Sequence, residues 1–433
     1  MPSDDVVEFG GWPRPPRWVW AVAGIAVVAV LGGLVVARTG AHHASPSKKP
    51  ATAASPVAGS RTPAGGPTAP PWPSTAGACG SSVDLPQIHL ARQHAHVHAR
   101  LLIGGAGLRV VTLGGAVSGP LPGLPEHGRL VTNVVAGPGA GYAFDTPCSS
   151  STGSVRIYRI VAGAAHRLGV SADALIGGPH FALAMTYRSS AVLTQVLSPP
   201  AGSHAPRFRS SADPVADTAA GLVVVPLRPL AGQRHAVELV DPDTGVVLRR
   251  IGQGFPMGAA GHVLLVSLHD CPGVLTQSTC TLESVDLSTG RPIATIKLPA
   301  GRFPVGGDLS SPVFSPDGTL AAFQLARAGR DPRFTAAFPG PPSDVVVLHL
   351  RTGSLDVVPG LELPPGTWAG LAFDPTGRWL LATVSEGDRG ELLAWRRGMA
   401  GPALVTSLPG PLVEAPPLLP VPSWWHQPAA ATR

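Results

Sequence analysis

Three histidines at alternating positions are the residues of this sequence whose spacing best suits chemistry. His94, His96 and His98 lie in the stretch "QHAHVHAR" (93–100). In a β-strand these side chains share one face, with neighbouring Cα atoms about 6.6 Å apart. Two such histidines can share a zinc ion with a third ligand from a neighbouring strand. No matching cluster of Asp, Glu or His is evident elsewhere, so they are weak candidates for a metal site. The competing interpretation is a polar edge strand that faces solvent.

The motifs of the common enzyme classes do not occur in the sequence. It contains no GxSxG elbow, HExxH pair, Walker loop or dinucleotide-binding GxGxxG unit. The adjacent His269 and Asp270 are interpreted as a loop pair rather than a catalytic dyad. No catalytic residue and no cofactor is therefore predicted, and an enzyme of this sequence would need a site built wholly from loops.

The composition limits the classes of partner. Charged residues make up only 13% of the chain, about half the usual share. The formal net charge is +6, but the arginines that produce it are scattered along the chain. Nucleic-acid recognition needs basic side chains grouped on one surface, so we expect no nucleic-acid partner.

Residues 18–37, "WVWAVAGIAVVAVLGGLVVA", are apolar and uncharged. As a helix they would span about 30 Å, the thickness of a bilayer core. We predict an uncleaved single transmembrane helix after a cytoplasmic tail at 1–17, with a cleaved signal peptide as the alternative. Ala29, Gly33 and Ala37 form a row of small residues, a weak indication of homodimerisation through this helix.

Residues 38–78 are predicted to be a disordered linker rich in Pro and Ala. The segment 41–78 contains eight prolines and no Ile, Leu or Phe, so it cannot bury enough apolar surface to fold. A tether after the membrane helix, together with an even number of cysteines, favours an extracytoplasmic C-terminal part in the cell envelope.

A repeated hairpin predicts the architecture of the sequence that follows the linker. "VELVDPDTGVVLRRI" (237–251) recurs as "LESVDLSTGRPIATIKL" (282–298), and in looser form at 345–358. Each copy is a strand, an Asp-x-x-Thr-Gly turn and a second strand. A second element, an aromatic residue followed by a Pro-x-Gly turn and an apolar strand, occurs at 314–325 and 373–384. Two hairpins make four strands in about 45 residues, the spacing of propeller blades.

These motifs resemble known β-propeller families. "FSPDGTLAAF" is similar to the repeats of TolB-type and WD40-type propellers, and "VDPDTGVVLRRI" is similar to those of YVTN-type, lactonase-like propellers. The resemblance implies an all-β fold, a β-propeller of about seven four-stranded blades over residues 79–422, with a C-terminal tail at 423–433. It implies no particular chemistry. Six blades are expected at 130–168, 174–212, 219–253, 259–300, 311–360 and 369–410. The seventh would join 100–115 to a C-terminal strand at 417–422. A ring of six blades and a sandwich array are the alternatives.

Four cysteines could staple this domain. Cys271 and Cys280 are close enough in the sequence to close a small disulfide loop, and a Cys79–Cys148 bond would pin the entry to the domain. Free buried thiols are the alternative.

The repeat also predicts which face of the propeller binds. The Pro-x-Gly and Thr-Gly turns lie on one face, whereas long, dissimilar connections lie on the other, where binding usually resides. Candidate ligand-face residues in these connections are Arg302, Phe303, Arg327, Arg330, Phe334 and Trp368. We therefore expect a binding or scaffold module for a protein, peptide or glycan ligand. The alternative is a lactonase-like hydrolase with a site, which could depend on a metal, in the central channel.

Overall fold

A computed structural model gives the positions of residues between 100 and 420, with gaps. The described ranges are 100–105, 107–111, 117, 121–124, 129–147, 155–178, 180–188, 191–197, 207–210, 214–215, 218, 221, 223–227, 236–268, 280–304, 312–327, 342–364, 369–386, 389–408 and 418–420.

Every regular element in these ranges is a β-strand, and the strands form antiparallel sheets in chain order. We number the six sheets made of consecutive strands as blades. Blade 1 contains β3 (Arg129–Gly137), β4 (Ala140–Pro147), β5 (Arg156–Val161) and β6 (Ala164–Arg167). Blade 2 contains β7 (Ala174–Gly177), β8 (Ala182–Arg188), β9 (Ala191–Val196) and β10 (Arg207–Ser210). Blade 3 contains β11 (Val223–Leu227), β12 (Ala236–Val240) and β13 (Val247–Gln253).

The next three blades follow the same plan. Blade 4 contains β14 (Phe255–Ala260), β15 (Val263–Ser267), β16 (Thr281–Asp286) and β17 (Pro292–Lys297). Blade 5 contains β18 (Arg302–Pro304), β19 (Val313–Phe314), β20 (Leu320–Arg327), β21 (Ser343–His349) and β22 (Leu355–Leu363), with β18 and β19 both paired to β20. Blade 6 contains β23 (Gly370–Phe373), β24 (Leu380–Glu386), β25 (Arg389–Trp395) and β26 (Ala403–Leu408).

The two ends of the described chain form one smaller, closing sheet. It contains β1 (Leu101–Ile103), β2 (Arg109–Val111) and β27 (Leu418–Pro420), and β1 lies between the other two. Leu102 pairs with Leu419, so the predicted pairing of the N-terminal and C-terminal strands is confirmed. The predicted count of seven four-stranded blades is wrong: the described residues form six blades, and the closing sheet has three strands within them.

The closing sheet completes a ring because it is packed on both faces. Leu101 and Ile103 share a core cluster with Leu381 of blade 6. Leu102, whose side chain alternates to the opposite face, packs in a cluster with Tyr158 of blade 1. Blade 6 and blade 1 are therefore joined through three residues of one short strand.

The middle strands of the blades appear in the sequence as short, continuous apolar runs because their side chains are buried on both faces. The middle strands are covered on both faces by neighbouring blades, and six of the eight residues of β20 are buried. The outermost strands are largely exposed, since only one residue of β13 is buried. Blades also exchange hydrogen bonds: the Ser284 hydroxyl of blade 4 donates to the Leu350 carbonyl at 2.6 Å, and the Asn133 amide of blade 1 donates to the Leu175 carbonyl at 3.0 Å.

The repeated Asp-x-x-Thr-Gly sequence of the hairpin turns has a local structural cause. In the β16–β17 turn, the Asp286 carboxylate accepts hydrogen bonds from the Ser288 hydroxyl at 2.5 Å and from the Thr289 amide at 3.0 Å. Gly290 has a φ of +70°, which a residue with a side chain seldom adopts. These hydrogen bonds hold the pKa of Asp286 below its usual value, with the Ser288 hydroxyl as the main cause.

Both kinds of predicted turn lie on one face, which we call the turn face. In blade 4 the Leu287 amide, in the second hairpin, donates to the His262 carbonyl, in the first, at 2.8 Å. In blade 5 the Leu350 amide makes the same link to the Thr319 carbonyl at 3.0 Å. The opposite face, which carries the connections from second to third strands and from blade to blade, is called the loop face below.

Among the residues that the structure places, no helix is long and apolar enough to cross a membrane. The predicted anchor at 18–37 and the linker at 38–78 lie outside those residues. Both remain predictions.

Candidate functional site

The loop face of blade 5 carries a cluster of four charged side chains, which we call the blade-5 cluster: Arg302, Arg327, Asp344 and Glu362. The Arg302 Nη1 donates to the Asp344 Oδ2 at 2.6 Å. Arg327 donates from Nε to the same oxygen at 3.1 Å, and from Nη2 to the Asp344 Oδ1. Its Nη1 reaches the Glu362 Oε1 at 2.8 Å. Two of the six predicted ligand-face residues are thus brought together by a shared carboxylate.

Strand register places these four residues at one edge of the sheet. Arg302 opens β18 opposite Arg327, the last residue of β20. Asp344 and Glu362 are paired across β21 and β22 at the same end. The long connection 328–341 leaves from Arg327, so the cluster lies at its base.

The charges of the cluster hold its side chains in place, and Arg302 keeps N–H groups that can donate hydrogen bonds to a ligand. Asp344 is nearly buried, with 7% of its side chain exposed, and two guanidinium groups compensate its charge. The Arg302 side chain is 26% exposed, and Asp344 is the only described residue that accepts a hydrogen bond from its guanidinium. A guanidinium has five N–H groups, so Arg302 can also donate to a carboxylate, carbonyl or hydroxyl of a ligand.

The structure corrects the predicted setting of these two arginines. Both were expected in loops, but Arg302 and Arg327 lie in strands, where cross-strand pairing fixes their backbones. Phe303 follows Arg302 in β18 and pairs with Ala326 of β20. Arg330, Phe334 and Trp368 lie outside the described residues, and so do His94, His96 and His98. Their roles remain predictions.

A second ion pair on the loop face was not predicted. In blade 1, Arg129 donates from Nε to the Asp145 Oδ2 at 2.9 Å and from Nη2 to the Oδ1 at 2.7 Å. Asp145 is 1% exposed and Arg129 is 10% exposed. The hydrogen bond to Asp145 is the main cause that raises the pKa of Arg129. A charged residue at the end of an otherwise apolar strand, as in "GYAFDTP", is the sequence signal that could have revealed it.

The second ion pair has a third charged neighbour. Arg156 of β5 lies directly across from Asp145 in the register. Its Nε atom is buried and has no hydrogen-bond partner among the described residues. The Asp145 carboxylate accepts two hydrogen bonds from Arg129, so the described residues at this edge of blade 1 carry more positive than negative charge.

The described residues contain no group of three His, Cys, Asp or Glu side chains that could hold a metal ion. The described strands nearest the axis (β3, β7, β14, β18, β19, β23 and β27) contain none of these residue types. These strands supply no ligand for the hydrolase alternative, which stays a prediction.

Cys280 is the one cysteine among the described residues. It is fully buried in the core between blades 4 and 5. Cys79, Cys148 and Cys271 lie outside the described residues. The pairing Cys79–Cys148 and Cys271–Cys280 therefore remains a prediction.

The ring of blades, closed by a sheet from both chain ends, decides the fold. The chain is a β-propeller. No protein-family model and no curated protein sequence matches it. Solved structures that resemble it include TolB from Acinetobacter baumannii, at 13% identity and a TM-score of 0.40 over 76% of this chain and 68% of that one. A protein from Lactobacillus plantarum has 13% identity and a TM-score of 0.45 over 75% of this propeller and all of that chain.

A putative 6-phosphogluconolactonase from Bacteroides fragilis has 12% identity and a TM-score of 0.42 over 75% of this chain and 98% of that one. The resemblance to TolB-type and lactonase-like propellers that the motifs indicated is thus found again among the structural neighbours. At such low identities it concerns the fold alone.

Proposed function

We propose that this β-propeller is a membrane-anchored, extracytoplasmic binding module whose loop face recognises a protein, peptide or glycan ligand of the cell envelope. The proposal rests on a difference between the two faces. Turn-face hairpins pack against the neighbouring blade. The loop face has dissimilar connections and the preformed blade-5 cluster. Variable segments on a rigid scaffold are the usual place for recognition.

The blade-5 cluster supports a binding role in particular. Ligand recognition needs polar groups held in place before the ligand arrives. Asp344 fixes Arg302 and Arg327, and Arg302 keeps N–H groups that can donate to a ligand. Arginine is also enriched among the residues that dominate binding energy at interfaces.

The proposal is tested by separating binding from stability. The full chain is immobilised in detergent micelles and exposed to solubilised cell envelope, before and after protease digestion, so that protein and glycan ligands are distinguished. Two loop-face variants, Arg302→Gln and replacement of 328–341 by a short Gly-Asn turn, should lose the captured component. Thr352→Ala, in an exposed turn of the same blade, should keep it.

Stability provides the control for this experiment. Arg302 is part of a partly exposed ion pair, so its replacement should cost about 1 kcal/mol or less of the unfolding free energy. Loss of capture with an unchanged urea midpoint supports recognition by the loop face. Equal capture by the wild type, both loop-face variants and Thr352→Ala would contradict it.

A further inference from the structure

Blades 1 and 2 carry an excess of basic side chains. Residues 129–210, which include both blades, contain seven arginines and only two acidic residues, Asp145 and Asp173. Asp145 is buried and bound to Arg129. Asp173 precedes the innermost strand β7, about 14 Å or three strand spacings from the outermost strand β10. The two outer strands of each blade, β5 and β6 in blade 1 and β9 and β10 in blade 2, contain no acidic residue.

In blade 2, strand alternation turns two of these arginines toward blade 1. Phe208 of β10 lies in a core cluster with Val223 and Val225 of blade 3. Arg207 and Arg209 flank Phe208 in the strand, so their side chains point to the opposite face, which is directed toward blade 1. Both side chains are exposed.

The facing side of blade 1 contributes a third arginine and a histidine. Tyr158 and Ile160 of β5 lie in the core on the closing-sheet side of blade 1. Arg159 lies between them in the strand and therefore points toward blade 2. His166 of β6 is the cross-strand partner of Arg159 and lies on the same face. Both Arg159 and His166 are exposed. Basic side chains from two blades, which are distant in the sequence, thus face each other.

These side chains border a groove in the outer wall of the propeller, which we call the blade 1–2 groove. Near the axis the two blades pack together, since Tyr142 of blade 1 and Ala182 of blade 2 share a core cluster. Farther out the facing side chains are exposed, so the blades diverge. Val161 of β5 and Leu193 of β9 are half-buried on the same faces and form an apolar floor.

The guanidinium groups of the groove can bind a ligand. Among the residues whose positions are known, none accepts a hydrogen bond from the side chains of Arg159, Arg207 or Arg209. Each guanidinium has five N–H groups and accepts nothing. A ligand of this groove therefore needs negatively charged groups or other hydrogen-bond acceptors.

The spacing of the arginines fits an extended acidic peptide. Arg207 and Arg209 are two residues apart in one strand, so their Cα atoms are separated by about 6.6 Å. Carboxylates at alternate positions of an extended peptide have the same separation. Within the described structure β10 is the last strand of its sheet, and its outer edge can accept a further strand. Each carboxylate would then lie directly across from one guanidinium, an arrangement that stabilises strand pairing.

The groove is less suited to a nucleic acid. Single-stranded nucleic acids bind to basic grooves whose aromatic side chains stack on the bases. Strands β5, β6, β9 and β10 contain two aromatic residues, Tyr158 and Phe208, and both are buried on the faces directed away from the groove.

From these observations we infer that the blade 1–2 groove is a second binding site, which takes an extended peptide with acidic residues at alternate positions. Carboxylates of the peptide pair with Arg207 and Arg209, and Arg159 contacts it from the other wall. The inference depends neither on the membrane anchor nor on the ligand proposed for the loop face.

The test measures the binding of two fluorescent peptides to the full chain in non-ionic detergent micelles, by fluorescence anisotropy. Both are ten-residue peptides with four Glu and six Thr. One has Glu at its second, fourth, sixth and eighth positions, and the other at its second, third, sixth and seventh, so that no two of its Glu are two residues apart. We expect the alternating peptide to bind about threefold more tightly, the effect of one additional cross-strand charge pair. Equal affinities would show that net charge alone attracts the peptides and would overturn the inference.

Variants locate the binding site. Arg207→Gln combined with Arg209→Gln should lower the affinity for the alternating peptide about tenfold and remove its advantage over the other peptide. The matched control is Arg351→Gln combined with Arg378→Gln, which removes two exposed arginines from the turns of blades 5 and 6 and should leave the affinity unchanged. An equal loss of affinity in both double variants would contradict a site in the blade 1–2 groove.

Two further measurements complete the test. The urea midpoints of both double variants should equal that of the wild type, because the replaced side chains are exposed, so that a loss of binding reports the site and not the fold. A polyuronate oligosaccharide of the same charge serves as a competitor. If it displaces the labelled alternating peptide at a lower concentration than the unlabelled peptide does, the groove takes an acidic glycan and the assignment to a peptide is wrong.

Discussion

Gly177 at the end of β7 lies directly against the Ala136 carbonyl of the neighbouring blade. A β-carbon at position 177 would be 2.3 Å from that oxygen, and 2.5 Å from the β-carbon of Val135. Real contacts are longer, so blades 1 and 2 approach this closely only because residue 177 has no side chain. The closest packing between blades thus depends on single glycines.

Gly177→Ala should therefore destabilise the propeller by about 1–3 kcal/mol, the cost of overpacking a core. The matched control is Gly169→Ala, because a β-carbon there would meet nothing within 4 Å. We expect the control to be neutral or slightly stabilising, since alanine reduces the entropy of the unfolded chain. Urea unfolding of both variants measures the difference, and equal midpoints would show that the blades can separate without cost.

Replacing one partner of the buried pair Arg129–Asp145 should have a larger effect than replacing both. Asp145→Asn leaves a guanidinium buried without its counter-ion, which should cost about 3–5 kcal/mol of the unfolding free energy. The double variant Arg129→Met with Asp145→Leu should recover most of that loss, because neither charge then needs solvation. Chemical denaturation of the three proteins makes the comparison. A double variant as unstable as the single one would contradict this account.

The Pro-x-Gly turn of blade 5 should contribute stability that depends on pH. The Asp317 carboxylate accepts hydrogen bonds from the Ser315 hydroxyl at 2.6 Å and from the Thr319 hydroxyl at 2.9 Å. The Ser315 hydrogen bond is the main cause that lowers the pKa of Asp317 below its usual value. A lowered folded-state pKa means that the contribution is complete above the unfolded value of about 3.9 and is lost as pH falls through the lower folded value.

Asp317→Asn should therefore be less stable than the wild type at pH 7. This gap in stability between the two proteins should narrow below about pH 4. Thermal unfolding across this range measures the gap. Asp243→Asn serves as the control, since no described residue donates a hydrogen bond to the Asp243 carboxylate and the gap should stay small. A gap for Asp317→Asn that is constant with pH would exclude the carboxylate as its source.

Removal of the last strand should open the ring. A chain that ends at residue 417 lacks β27, whose three residue pairs with β1 complete the closing sheet. At about 1 kcal/mol for each ladder hydrogen bond, the loss is on the order of 3 kcal/mol. A chain that ends at 423 keeps β27 and should unfold like the full chain. Identical melting curves for the two truncations would mean that β27 does not close the ring.

Local patterns predicted most of the fold. Asp286 and Gly290 specify their turn by contacts within five residues, so the hairpin can be recognised without knowledge of its neighbours. The expected blade limits at 174–212 and 369–410 agree with strands β7–β10 and β23–β26 for the same reason. The blade count was wrong because division by repeat length treats the closing sheet as a full blade, although its strands have only three residues each.

The candidate site was predicted less completely. Arg302 and Arg327 were identified as basic residues near long connections, but their partners were missed. Asp344 is 42 residues from Arg302, and the pair forms only when three strands align in register. Contacts of this kind depend on tertiary structure, which periodicity and turn motifs do not encode.

The position of β1 between two neighbours determines how the propeller would bear mechanical load. Leu101 and Leu102 are hydrogen-bonded on one side to β2 and on the other to β27. Tension transmitted from the N-terminal segment would run along the strand axis, perpendicular to these bonds. Both ladders would then be sheared together instead of peeled apart one bond at a time, so the first described strand of the propeller is arranged to resist pulling.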